Sequence, residues 1–355
     1  MRDSLRGLIL AFWLASLSAV AAEYQWTEVT KAAAFNERDG AGAATYRGKM
    51  WLLGGWGDDP EGGPRHVGYN DVWNSTDGWT WTQVRPNTLT AAGIWEGRHC
   101  GGYVVFHDKL WVVGGDPLLK HYQNDVWSSA DGVTWEQATA KAPWGQRNLH
   151  VTMVYDGKIW VMGGQMVPQF VPDVPEAFYN DVWSSTDGAN WNQVTAHAPW
   201  SPRGMIQGSV EFSGRMWLLG GGTYDTPAHP TRLFYNEVWS TADGAEWRKD
   251  ADAPWAPRQY HSVAVFDNKM WVMAGYNDNT PERNRNDVWY SSDGVNWSEL
   301  PNTPWPTRHA GTVFVHDGHL WMVAGSHPGS TPIHDVWRLD KTGSPGAVAR
   351  TSAHE

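Results

Sequence analysis

A single cysteine, Cys100, among 355 residues excludes an internal disulfide and leaves packing to hold the fold. Charge is also scarce. Lys, Arg, Asp and Glu make up 18% of the chain, and 27 basic against 38 acidic side chains give a formal net charge of −11. So acidic a chain is a poor match for nucleic acid or an anionic membrane. Long apolar runs are missing too: Leu8 to Leu17 is too short to cross a bilayer, and no other segment is apolar enough to anchor the chain. Two arginines precede that run, and the small residues Ala19-Val20-Ala21-Ala22 follow it. This is the form of a signal peptide over residues 1–22, with the mature protein exported to the periplasm or the medium. Its removal would take away two arginines and one aspartate and move the net charge from −11 to −12.

Tryptophan and repetition are what the chain has in abundance. The phrase NDVWSSTDGANW at 180–191 recurs as NDVWNSTDGWTW (70–81), NDVWSSADGVTW (124–135), NEVWSTADGAEW (236–247) and NDVWYSSDGVNW (286–297). Each is two strand-like runs around a Ser/Thr/Asp/Gly turn, a β-hairpin. A second phrase alternates with it: KMWLLGG (49–55), KLWVVGG (109–115), KIWVMGG (158–164), RMWLLGG (215–221), KMWVMAG (269–275) and HLWMVAG (319–325). Each is an apolar strand that closes a hairpin and ends in small residues. Six copies at intervals of 49 to 60 residues predict a repeat architecture. The repeat absorbs most of the 26 tryptophans as packing residues between sheets.

The two ends carry complementary fragments. Tyr24 to Val29 matches the second strand of the hairpin phrase with no Asp-Val-Trp before it, while the sixth Asp-Val-Trp, 335–337, has no second tryptophan after it. A closed ring accounts for both, because the N-terminal strand completes the last unit and removes the exposed edges. The prediction is an all-β, single six-bladed propeller over residues 23–340, with four-stranded antiparallel blades and a flexible tail at 341–355. Four strands per unit, the glycine pair and the fixed aromatic stations resemble the Kelch repeat, and the resemblance covers roughly residues 24–340. The Asp-Gly-x-x-Trp turn also resembles a shortened Asp-box hairpin of sialidase-type propellers.

With strands a to d running outward from the axis, the c–d turns place Asp77, Asp131, Asp187, Asp243 and Asp293 on one face, each expected to cap its own turn. The opposite face receives unequal b–c loops, of which Trp56 to Tyr69, Gln165 to Tyr179 and Gly222 to Tyr235 are long, and such loops on a rigid frame make binding sites. The d–a links share that face. In every link an aromatic residue stands three positions before an arginine: Phe35/Arg38, Trp95/Arg98, Trp144/Arg147, Trp200/Arg203, Trp255/Arg258 and Trp305/Arg308.

Sixfold repetition predicts a guanidinium ring around the channel mouth, with Trp144, Trp200, Trp255 and Trp305 beside it and an anionic ligand to offset the charge. The alternative is that each arginine bonds to carbonyls or an acid of an adjacent blade while its aromatic neighbour stacks on it. His99, His150, Tyr260, His261 and His309 belong to the same expected site. The histidines lack a fixed short ligand spacing, so no metal and no cofactor is assigned.

The ligand is expected to be an acidic sugar or a carboxylate-bearing group held by bidentate arginine contacts. Size, export and blade count also resemble the N-acetylneuraminate epimerases, which implies a sugar mutarotase with His99, His150, His261, His309 or Glu211 as proton carriers. A monomeric scaffold for a protein partner is a further reading. Galactose oxidase, a copper-radical enzyme, has a similar propeller, and Cys100 and Tyr260 occupy matching stations. They fall on blades two and five, however, which lie opposite each other and are expected to keep them apart.

Overall fold

The computed structural model describes residues 23–342, apart from 61, 64, 65, 117–120, 206, 207 and 330. The expected signal peptide and the tail beyond Thr342 lie outside the described residues. The described chain contains strands and turns with no helix, arranged as six four-stranded antiparallel sheets in a ring, a six-bladed β-propeller.

Blade one shows the plan. Strand a is Gly42–Tyr46, b is Lys49–Leu53, c is Val72–Ser75 and d is Thr82–Arg85, hydrogen-bonded in that order. Blade six is assembled from both ends of the chain: Thr312–His316, His319–His327 and Thr331–Lys341 supply a to c, and Tyr24–Thr30 supplies d. Tyr24 pairs with Lys341 and Trp26 with Leu339, as the split phrase predicts. The ring closes on the inner side as well, where Thr312 Oγ1 donates to the carbonyl of Ala41 at 3.1 Å.

The core lies between blades, and tryptophan fills it. Trp51 of strand b packs with Trp95 and Trp135 from the next blade, and the same set recurs around the ring. Trp95 meets Trp135 edge to face at 5.7 Å, an arrangement worth about 0.5–1.5 kcal/mol beyond the buried area. The glycine of each c–d turn follows from this packing. Gly188 sits at φ 74 against the ring of Trp111, where a Cβ would overlap the indole.

The aspartates of those turns act locally. Asp187 Oδ1 accepts from the N–H groups of Ala189 at 2.9 Å and Asn190 at 2.7 Å, and the same pair of bonds recurs at Asp77, Asp131, Asp243 and Asp293. The acidic ring is therefore a set of turn caps.

Candidate functional site

The six arginines do not line the mouth. Arg38, Arg98, Arg203, Arg258 and Arg308 are fully buried and Arg147 nearly so. Each reaches an acid of its own blade, in the Asp-Val-Trp phrase: Asp71, Asp125, Asp181, Glu237, Asp287 and Asp335, at 2.6–2.7 Å. The pairing is bidentate in every blade except the fourth, where one Glu237 oxygen takes the bond. The same guanidinium donates to the carbonyl of the small residue ending strand b, as Arg38 does to Gly54 at 2.8 Å.

The arginine main chain serves the neighbouring blade. Arg98 O accepts from Gly55 N at 3.0 Å, and Arg203, Arg258, Arg308 and Arg38 repeat the bond. Sixfold guanidinium repetition is thus answered by sixfold counter-charge inside the frame. A buried arginine needs a carboxylate.

Two other expectations fall with that ring. Trp144, Trp200, Trp255 and Trp305 are buried under the hairpin tryptophans and offer no face to a ligand. His150 and His261 are buried between blades, where Nε2 contacts the carbonyl of Val113 at 3.1 Å and of Leu219 at 2.9 Å. Burial, with an arginine nearby, pushes both imidazoles down to about 3, so they are neutral packing groups. Glu211 is exposed at an a–b turn, where it accepts from Gly214 N.

A pocket does open on the axis, lined in part by residues one or two places after five of the arginines: Asp39, His99, Asn148, Tyr260, His309 and Ala310. The first place pairs with the residue that follows the small pair of the second phrase: Asp39 with Trp56, His99 with Asp116, Asn148 with Gln165, Gln259 with Tyr276, and His309 with Ser326. The second place turns inward. There the backbone forms a chain of hydrogen bonds around the axis, Ala310 to Tyr260, Gly40 to Ala310, Cys100 to Gly40, Leu149 to Cys100 and Met205 to Leu149.

Cys100, Leu149, Tyr260 and Ala310 hold φ between 50° and 56° to achieve this. Such left-handed residues persist where the surroundings over-determine them, and they cluster at functional sites. Four of the six stations converge here, so that Cys100 and Tyr260 share one buried cluster with Leu149 and Ala310. Membership of opposite blades does not keep them apart, contrary to the sequence expectation.

The pocket has a volume of about 760 Å³. Its floor holds Asp39, His99, Asp116, Asn148 and His309. Its walls are Trp56, Phe170, Tyr224, Tyr260 and Tyr276, with Arg232 and Asp225 at the side. His99 stands between two buried carboxylates, with Nε2 3.2 Å from Asp39 Oδ1 and Nδ1 3.4 Å from Asp116 Oδ1. Burial pulls this imidazole down, but Cys100, Asp116 and Asp39 outweigh it and hold it well above its ordinary value. His309, 3.9 Å from Asp39, is pushed down by burial.

The Tyr224 and Tyr260 hydroxyls are hydrogen-bonded to each other, and burial raises Tyr224 to about 12 and pushes Tyr260 well above its ordinary value. Arg232 lies 4.4 Å over the Tyr224 ring and pairs with Asp225 and Asp278.

Of the residues read from sequence, the structure brings His99, Tyr260 and His309 to the pocket. Sequence reasoning missed Asp39, although it stands directly after Arg38, as His99 and His309 follow their own arginines. It also missed Asp116 and Tyr276, which occupy the first place after the glycine of strand b. Phe170, Tyr224 and Arg232 come from the long loops singled out as variable, where no repeat fixes side-chain direction.

No family model matches the chain. A leucine-zipper-like transcriptional regulator 1 homolog from Drosophila melanogaster is 32% identical over 95 residues, which are 25% of this chain and 10% of that protein. Among solved structures, YjhT superposes with a TM-score of 0.60 at 16% identity, over 87% of this chain and 96% of that one. At that identity the likeness shows the fold alone, a β-propeller of similar extent.

Proposed function

We propose that this chain binds a sugar in the axial pocket, and that it does so as an exported protein. The observation that carries the reading is a pocket with aromatic walls and convergent polar groups at its floor. Rings such as Trp56, Phe170 and Tyr276 suit the apolar faces of a pyranose, and Asp39, Asp116 and Asn148 suit its hydroxyls. The sign of the lining charge favours a neutral sugar over the acidic one expected from the arginine ring. Three aspartates outnumber the two lining cations, Arg232 and His99, and both cations are already paired with acids. A catalytic form of the same reading rests on Asp39, which links His99 and His309 and so sets an acid and a base side by side.

A thermal-shift screen of the protein lacking residues 1–22 tests this, with neutral sugars, acidic sugars and acidic peptides in separate wells. A ligand at one hundred times its dissociation constant stabilises by about 2.7 kcal/mol, which a melt resolves. Stabilisation by a neutral sugar is expected, followed by an anomer-exchange assay on that sugar. Stabilisation by acidic sugars alone would return the anionic reading, with Arg232 as the cation. A silent sugar panel would overturn the proposal in favour of a protein partner.

A further inference from the structure

At the floor of the pocket His99 and Asp116 meet Cys100, a buried thiol behind the floor that the sugar reading does not use. His99, Cys100 and Asp116 each offer one ligand atom, and these atoms all lie within 4.8 Å of one another. They come from two strand ends that the frame fixes: His99 and Asp116 form a backbone bridge with N–H to carbonyl distances of 2.8 and 3.1 Å. Cys100 is the next residue, held at φ 53 by the axial ring. Its Sγ lies over the imidazole face, 3.0 Å from His99 Nδ1 and 2.9 Å from Nε2.

Two features of the surroundings suit a cation. The first is a shortage of donors. Asp39 and Asp116 are both 4% exposed, and the Oδ1 of each has only a His99 ring nitrogen beside it, at 3.2 and 3.4 Å, with no other donor. Two buried carboxylates that share one imidazole are short of positive charge, and a metal cation supplies it. The second is the ordered arrangement outside the donor set. Asp116 Oδ2 accepts from Asn148 Nδ2 at 3.0 Å, which fixes the carboxylate with Oδ1 toward His99. Asp39 Oδ1 faces the other ring nitrogen, Nε2, at 3.2 Å. A carboxylate on one imidazole nitrogen orients the second as a metal ligand, the support usual around protein metal sites.

We propose that His99 Nδ1, Cys100 Sγ and Asp116 Oδ1 form a site for a thiophilic divalent cation of the zinc class, with a fourth position open to the pocket. One nitrogen, one sulfur and one oxygen are a donor set for zinc rather than calcium or magnesium. Bonds of about 2.0–2.2 Å to nitrogen and oxygen put tetrahedral neighbours about 3.3 Å apart, and Asp116 Oδ1 lies 3.4 Å from His99 Nδ1. Ligation draws the sulfur from the face of the imidazole toward its Nδ1 edge and releases two protons to solvent, one from the thiol and one from His99 Nδ1. The open position faces the same cavity as the aromatic walls, where water or a ligand hydroxyl completes the coordination. The site stands independently of the sugar reading, since its donors and their supports are present whatever fills the pocket.

Cobalt titration of chelator-treated protein, with zinc competition, tests it. The expected result is one equivalent bound, a thiolate-to-cobalt charge-transfer band, protection of the Cys100 thiol from a thiol reagent, and displacement by zinc. Cys100→Ser should abolish the charge-transfer band, and Asp116→Asn should weaken cobalt binding at least tenfold. Each variant is first shown by its melt to be folded. Asn148→Ala, which touches no ligand atom, supplies a second reading and should weaken binding by a smaller factor.

Cobalt binding without the band, or with the band intact in Cys100→Ser, would overturn the ligand set. Absence of binding to folded, reduced wild-type protein would overturn the site. Sugar binding by metal-free protein together with no cobalt binding would leave the proposed function standing and remove this inference alone.

Discussion

Removing the carboxylate of Asp71 tests whether the arginine ring is part of the frame. Arg38 and Asp71 have side-chain exposures of 0% and 3%, the most buried of the six pairs. Asp71 accepts from Arg38 Nη1 at 2.7 Å and Nη2 at 2.9 Å, and its Oδ2 also accepts from the Trp73 indole at 2.7 Å. In Asp71→Ala the guanidinium keeps its bonds to Gly54 O and Asn36 O and its place 4.5 Å over Tyr69, but loses its counter-charge. Breaking a buried pair on one side costs about 3–5 kcal/mol. At about 2 °C per kcal/mol for a domain of this size, the melting temperature should fall by about 6–10 °C.

Replacing both partners with apolar residues, Arg38→Met with Asp71→Leu, removes the stranded charge and should recover much of the loss. Melts followed by circular dichroism, with urea midpoints beside them, measure both variants. If Asp71→Ala melts within about 2 °C of wild type, the shift of an ordinary surface change, the arginines are not structural clasps. An Arg38→Ala variant that kept its stability but lost a ligand would return them to the binding site.

Three further outcomes follow from the same frame. Trp26→Ala, which empties a buried site on the closing strand against Trp305, should cost about 3–5 kcal/mol in urea melts, and removal of residues 24–29 should cost more. Gly188→Ala should destabilise by about 1–3 kcal/mol, because the new Cβ overlaps Trp111; an unchanged midpoint would contradict the packing of turn against tryptophan. Acid titration tests the turn caps. Burial raises the carboxyls of Asp293 and Asp187, more than any single bond does at Asp293, but the hydrogen bonds together outweigh it and lower both from 3.8 to about 2. A depressed folded value means stability present above about pH 4 and lost as pH falls toward 2. Asp187→Asn should flatten part of that loss in pH-dependent melts.

The frame was legible because it is written six times. Trp51, Trp111 and their equivalents recur at one station, and the split hairpin phrase at the two ends announced the closing strand. The site was less legible for the complementary reason. A residue present in every blade serves what every blade needs, so Arg38 and its five counterparts were answered by Asp71 and its counterparts, which the sequence places 27 to 34 residues further on.

The asymmetric residues make the pocket, and they hold the same register with different chemistry. After the six arginines stand Asp39, His99, Asn148, Gly204, Gln259 and His309 in turn. Comparing blades at that single register would have found the floor apart from Asp116. The walls depend on loops such as Gly222 to Tyr235, whose course is set by contacts unique to each, among them Arg232 over Tyr224.

Calorimetric titration of the most stabilising sugar against wild type and Phe170→Ala tests the central claim, that the axial pocket and not the arginine ring is the binding site. Phe170 is 38% exposed at the pocket wall, so its loss should leave the fold intact. The account predicts one site in the wild type and binding weakened at least fivefold in the variant, about 1 kcal/mol of lost ring contact. Equal affinity in the two proteins would place the sugar elsewhere and contradict the account.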